Sequence, residues 1–162
     1  MFRVSVNAQT GKSFASQVAR QLRRAHRRIN AKLNELSVAF VGDDRMRALH
    51  NQYMGIDSPT DVLTFELDHD SRGKVLCGEV VVCVPEAKRQ AKLRGTRAQD
   101  EVLLYALHGM LHLCGFDDRT DASFKRMHAM EDRILTQLGV GQVFAHSNGK
   151  TTTRSRSRGK PT

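Results

Sequence analysis

Tryptophan is absent from this 162-residue sequence, and aromatic residues make up only 6% of it. No apolar run approaches the roughly 18–20 residues needed to span a bilayer, which argues against a membrane helix. The first residues lack the apolar segment of a secretory signal. The three cysteines, Cys77, Cys83 and Cys114, are odd in number and form no C-x-x-C pair. That pattern speaks against a disulfide framework and against a cysteine zinc knuckle. Free thiols in a reducing cytoplasm are the direct reading. Acidic residues are missing before Glu35, where Arg and Ser are frequent. Mitochondrial and plastid transit peptides share that bias. Phe2–Asn7, however, reads as a strand the fold needs, and a cleaved presequence would remove it.

What is present fits one domain with a single sizeable core. Hydrophobic residues make up 40% and charged residues 27%, the range of globular chains. The net charge is +9 and the pI about 10.0. Residues 146–162 contain Lys150, Arg154, Arg156, Arg158 and Lys160 and no acid. Five of the nine net charges therefore lie there, and +4 remains on the rest. The Ser, Thr, Gly and Arg mixture of this tail cannot bury a core, so disorder is expected over 146–162 and a folded domain over 1–145. A basic body suits a polyanion, nucleic acid first, or simply aids solubility.

Periodicity predicts an α+β fold, with four strands and about five helices. Val4-Ser-Val opens a strand. Ser13 can cap a helix whose apolar residues Phe14, Val18, Leu22, Ala25, Ile29 and Leu33 share one face. Arg20, Arg23, Arg24, Arg27 and Arg28 lie largely off it, as on a solvated outer surface. A strand over Leu36–Val41 is followed by a helix capped by Asp43 and running through Tyr53. Asp57–Asp61 is turn chemistry. Strands over Val62–Leu67 and Val75–Val84 flank a polar loop, Asp68–Lys74. A basic helix over Pro85–Leu93, a second from about Thr96 to Gly115, and a last one ending at Gly139 complete the reading.

The second half concentrates ligand chemistry. His108 and His112 are four apart on a helix, so they share a face and can grip one metal ion. Gly115 stops the helix, and the turn lets Asp118 return to the same ion. The spacing H-x3-H-x2-G-x2-D parallels the metzincin zinc pattern, with two departures. Gly109 stands where metalloproteases carry a general-base Glu, and the third ligand is a carboxylate. Three protein ligands leave a fourth position for water, the mark of a catalytic zinc site, here with one Zn2+ per chain. Zinc lowers the pKa of such a water from about 15.7 toward about 7. His108, His112 and Asp118 are therefore the expected metal ligands and catalytic residues.

Other residues carry simpler readings. Asp117 could replace Asp118 as ligand, but an Asx side chain there suits the turn. Glu66, Asp68, His69 and Asp70 form a second ligand-rich stretch, read as a solvated loop. Cys114 reads as a buried thiol, and His50 and His128 as ordinary, partly buried histidines on helix stripes.

His108-Gly-Met-Leu-His112-Leu-Cys-Gly-Phe-Asp-Asp118 resembles the H-G-x-L-H-L-x-G-Y-D-H signature of the YbeY family of endoribonucleases. Ser58-Pro-Thr-Asp-Val-Leu-Thr-Phe65, Cys77-Gly-Glu-Val-Val-Val82 and Met127-x3-Glu131-x2-Ile134-Leu135 resemble further motifs of that family, in order, over about residues 35–138. The resemblance implies a zincin-like single domain, a mixed sheet, and zinc at the three signature positions. It also implies cleavage of single-stranded RNA, ribosomal RNA and the small ribosomal subunit as partners, maturation of the small-subunit RNA 3′ end, and ribosome quality control in the cytoplasm. No membrane or DNA partner is expected. Two positions depart from the family: Asp118 replaces a histidine, and Met54 replaces a basic residue, for which Arg119 is a possible substitute. A metalloprotease-like hydrolase and a non-catalytic, metal-stabilised ribosome-assembly factor are the alternatives.

Overall fold

The computed structural model of the chain describes residues 1–140; the expected tail over 146–162 lies outside the described residues. Four strands form one mixed sheet: β1 (Arg3–Ala8), β2 (Glu35–Val41), β3 (Val62–His69) and β4 (Val75–Cys83). Their spatial order is β1-β2-β4-β3. β1, β2 and β4 run parallel, and β3 closes one edge antiparallel to β4. Five helices accompany them: α1 (Ala15–His26), α2 (Asp43–Met54), α3 (Val84–Arg94), α4 (Ala98–Leu113) and α5 (Asp121–Gln137). The α+β expectation therefore holds, in a single body.

Alternation along the strands divides the interior in two. Leu36, Val38 and Phe40 of β2 and Val80 and Val82 of β4 face the large core, which Val18 and Leu22 of α1, Leu107 and Met110 of α4, and Met127 and Ile134 of α5 complete. The intervening residues Val41, Leu63, Val81 and Cys83 meet Met46 and Leu49 of α2 in a smaller core. One face of the sheet thus carries α1, α4 and α5, and the other carries α2. No helix among the described residues is long and apolar enough to cross a membrane.

Four boundaries differ from the sequence reading. α1 ends at His26, although the apolar spacing continues through Ile29 and Leu33. Both residues are buried nonetheless, reached by turns in which Arg28 and Ile29 donate to the carbonyls of Ala25 and His26. The His26 ring stacks on Phe2 at 3.7 Å and its Nε2 lies 2.6 Å from the Leu33 carbonyl oxygen, which anchors the exit loop. Ser13 is not a cap; it sits in a 3-10 turn, Lys12–Phe14, ahead of the helix. Asp43 is the first residue inside α2 and Gly42 the cap. There the carboxylate serves the helix dipole and binds Arg89 of α3 at 2.8 and 3.0 Å. Finally, Asp68 and His69 belong to β3, where the register slips. The turn itself is short, with Asp70 accepting from the backbone N–H of Arg72 and Lys74, both at 2.9 Å.

Candidate metal centre

Helix α4 crosses the sheet so closely that two positions admit no side chain. A Cβ on Gly109 would lie 2.6 Å from Val80 Cγ1 and 3.1 Å from Thr64 Oγ1. One on Gly78 of β4 would lie 2.5 Å from Leu113 Cδ1. Gly109 is therefore a packing requirement, and it sets the histidine-bearing turns of α4 hard against β3 and β4. The position where a metalloprotease carries its general base faces the sheet here and has no room for one.

The helix ends as the sequence predicts. Gly115 takes φ 100, and Phe116 N–H donates to the Leu111 carbonyl at 3.0 Å, a Schellman-like closure. The chain then doubles back. Asp117 accepts from the Arg119 N–H at 3.1 Å and so holds the turn. Asp118 is buried and points inward. Thr120 caps α5 and exchanges hydrogen bonds with Ser123 in a capping box.

These turns bring His108, His112 and Asp118 together, with one donor atom of each within 4.8 Å of the others. The two Nε2 atoms stand 3.1 Å apart. Asp118 Oδ2 lies 3.9 Å from His108 Nε2, and Oδ1 lies 4.0 Å from His112 Nε2. Tetrahedral zinc with bonds of about 2.0–2.1 Å spaces its ligand atoms roughly 3.3 Å apart. The imidazole pair meets that spacing and the carboxylate stands slightly wider. Two imidazoles and one carboxylate, converging from one helix and the turn after it, suit a divalent ion.

Glu131 of α5 supports this group from behind. It is fully buried and accepts from Nδ1 of His108 and, at 3.0 Å, from Nδ1 of His128. A carboxylate only accepts, so His108 carries its proton on Nδ1 and turns the Nε2 lone pair toward His112 and Asp118. Burial raises the Glu131 pKa, but the hydrogen bonds and charges of His108 and His128 outweigh it and hold the group down at about 2. Burial first, and His108 second, push the His112 imidazole below its ordinary 6.5, against the pull of Asp118 and Glu131. A neutral ring at pH 7 is the ligand form.

Sequence reasoning missed Glu131 and His128 as members of the site. The signal was there: Glu131 is an acid on the apolar stripe Met127, Ile134 and Leu135, a place acids occupy only when paired. The remaining candidates separate cleanly. Glu66 binds His69 at 2.8 Å on the exposed end of β3 and joins no ligand group. Burial raises the Cys114 thiol to about 12, so it stays protonated and a poor ligand. His50 is wholly buried rather than partly, its Nδ1 2.7 Å from the Ser58 carbonyl oxygen. Met54 packs against the smaller core, and Arg119 is exposed beside the turn.

Comparison with known proteins agrees with this architecture. The sequence model described as Endoribonuclease YbeY matches residues 3–139. A Geobacillus thermodenitrificans protein named Endoribonuclease YbeY is 36% identical over 115 residues, covering 65% of this chain and 74% of that protein. A Bacillus thuringiensis protein of the same name is 34% identical over 117 residues, covering 67% and 75%. A solution structure from Thermotoga maritima shares the fold with a TM-score of 0.59 at 24% identity, covering 98% of this chain and all of that one. By its sequence, this chain belongs to the YbeY endoribonuclease family.

Proposed function

We propose that the chain is a zinc-dependent, single-strand-specific endoribonuclease of ribosomal RNA processing, including 3′-end maturation of the small-subunit RNA and ribosome quality control, and that it works in the cytoplasm. The observation that carries the catalytic part is the convergence of His108, His112 and Asp118 in front of a buried carboxylate that fixes the His108 tautomer. Family membership supplies the substrate class: relatives at 34–36% identity are named endoribonucleases.

His108, His112 and Asp118 would hold the ion. When bound, zinc would polarise a phosphoryl oxygen and make water nucleophilic at neutral pH. Glu131 keeps His108 oriented, and His128 satisfies the other carboxylate oxygen. Exposed Arg119 follows Asp118 on the turn, and Lys125 and Arg126 are exposed on α5; such basic side chains can hold the RNA backbone. A peptidase reading loses its base at Gly109, for the steric reason given above.

The test is cleavage of single-stranded RNA by protein of measured metal content, with and without chelator, beside matched duplex RNA, single-stranded DNA and a casein digest. Chelator-sensitive cutting of single-stranded RNA alone is expected. RNA binding with no cutting at full metal occupancy would favour the non-catalytic assembly factor instead.

A further inference from the structure

The charge on α1 differs in kind from charge elsewhere in the fold. Arg20, Arg23, Arg24, Arg27 and Arg28 are all exposed. Arg20, Arg23 and Arg24 lie on one side of α1, at spacings of three and one, and Arg27 and Arg28 follow at its cap and in the turn beyond. Arg23 reaches the Val4 carbonyl at 3.2 Å and Arg24 the Gln21 amide oxygen at 2.9 Å. None of the five forms an ion pair with a described residue. Acids elsewhere pair with other arginines: Glu35 with Arg3, Asp100 with Arg97 and Glu101 with Arg94. Helix α3 shows the contrasting habit, with Arg89 clasped by Asp43 and Glu86.

An unneutralised row of this kind weakens its own helix, because Arg20–Arg24 and Arg23–Arg27 are like charges at i,i+4. A polyanion laid along the row removes that repulsion. Guanidinium groups donate to phosphate oxygens in pairs, and one helical turn, about 5.4 Å, separates successive rungs. The row is also on the right side of the sheet: Val18, Leu22 and Ala25 of α1 enter the same core as Leu107, Met110 and Leu111 of α4. Helices α1 and α4 therefore lie on the same side of the sheet.

We infer that the arginine face of α1 is a second docking surface for the RNA phosphate backbone, formed by residues outside the metal group, that holds substrate without taking part in cleavage. This rests on the endoribonuclease reading. The experiment compares full-length, metal-loaded wild type with a triple Arg20→Gln, Arg24→Gln, Arg27→Gln variant and with the matching triple Lys variant. Binding of a labelled single-stranded RNA is followed by anisotropy between 50 and 200 mM KCl, and cleavage by KM and kcat. With roughly 0.7 counterions released per phosphate on single strands, three lost contacts flatten the log–log salt slope by about 2. The Gln variant should show that change, a raised KM and an unchanged kcat, while the Lys variant keeps the wild-type slope. A Gln variant with wild-type slope and KM overturns the inference and leaves the enzymatic reading standing. Equal losses in the Gln and Lys variants also overturn it, since charge is then not the cause. An α1-dependent slope in a protein that cuts no RNA sinks the enzymatic reading and keeps this one.

Discussion

Two stretches of this chain carry nearly the same ligand-bearing residues and meet opposite fates. His108, His112, Asp118 and Glu131 are drawn together behind α4 and α5; Glu66, Asp68, His69 and Asp70 sit at the exposed end of β3. In the second stretch each acceptor is spent locally. Asp68 accepts from the His69 N–H at 2.9 Å, Asp70 holds the turn, and Glu66 pairs with His69 across solvent. In the first, helix packing buries Asp118 and Glu131 and turns the histidine rings and carboxylates toward one another. A ligand-rich composition makes a site only where tertiary packing converges the side chains on one point.

The largest expected contrast is in metal retention. His108→Ala, His112→Ala or Asp118→Ala should reduce bound zinc from about one per chain to background by elemental analysis. Asp117→Ala, which removes the carboxylate's contacts with the Arg119 backbone and Ser123 but no candidate ligand, should keep it. Metal lost with Asp117→Ala but kept with Asp118→Ala would invert the assignment.

Next comes the carboxylate behind the histidines. Glu131→Ala removes the carboxylate that accepts from Nδ1 of both His108 and His128. Metal affinity should fall about 10–100-fold, and stability by roughly 1–3 kcal/mol. Glu131→Gln, which retains one acceptor oxygen, should fall between. Competition with a chelating dye and denaturant melts measure both.

Gly109→Ala separates scaffold from chemistry. Its methyl group collides with Val80, so a stability loss of about 1–3 kcal/mol is expected from overpacking, with metal stoichiometry preserved in the folded fraction. An unchanged melt would show that α4 does not lie as close to the sheet as its packing indicates.

A finer comparison concerns the third ligand. Asp118→His exchanges a charge of −1 for a neutral ring, leaving the ion more positive and its water more acidic. Zinc should be retained, tolerance of manganese or magnesium should narrow with the loss of a hard oxygen ligand, and the pH–rate profile should move to lower pH. A profile that stays in place speaks against Asp118 as a ligand.

The smallest effect belongs to the exposed stretch. Glu66→Ala with His69→Ala should leave metal content unchanged and stability within about 0.5 kcal/mol. A metal loss there would erase the distinction between the two clusters.

Much of this was legible locally. H-x3-H on one helix face, the glycine that stops the helix and the aspartate three residues on lie within eleven residues, so backbone geometry alone nearly places them. The β-rich runs likewise marked the four strands. The failures share a cause. Ile29 and Leu33 keep a helical spacing without a helix, because burial rewards an apolar side chain whichever backbone delivers it. Asp43 reads as a cap, but a salt bridge to Arg89, distant in sequence, decides where it sits.

The sequence by itself determined the α+β class through periodicity, the family through its motifs in order, and the three candidate donor residues through a spacing of a few residues. Only the tertiary structure decided that Glu131 on α5 hydrogen-bonds His108, that Gly109 is a contact with the sheet, and that the arginines on and just after α1 form no ion pair among the described residues. Those facts depend on which surfaces meet after folding, and the distances between partners, 23 residues from His108 to Glu131, leave no local trace beyond an acid on an apolar stripe.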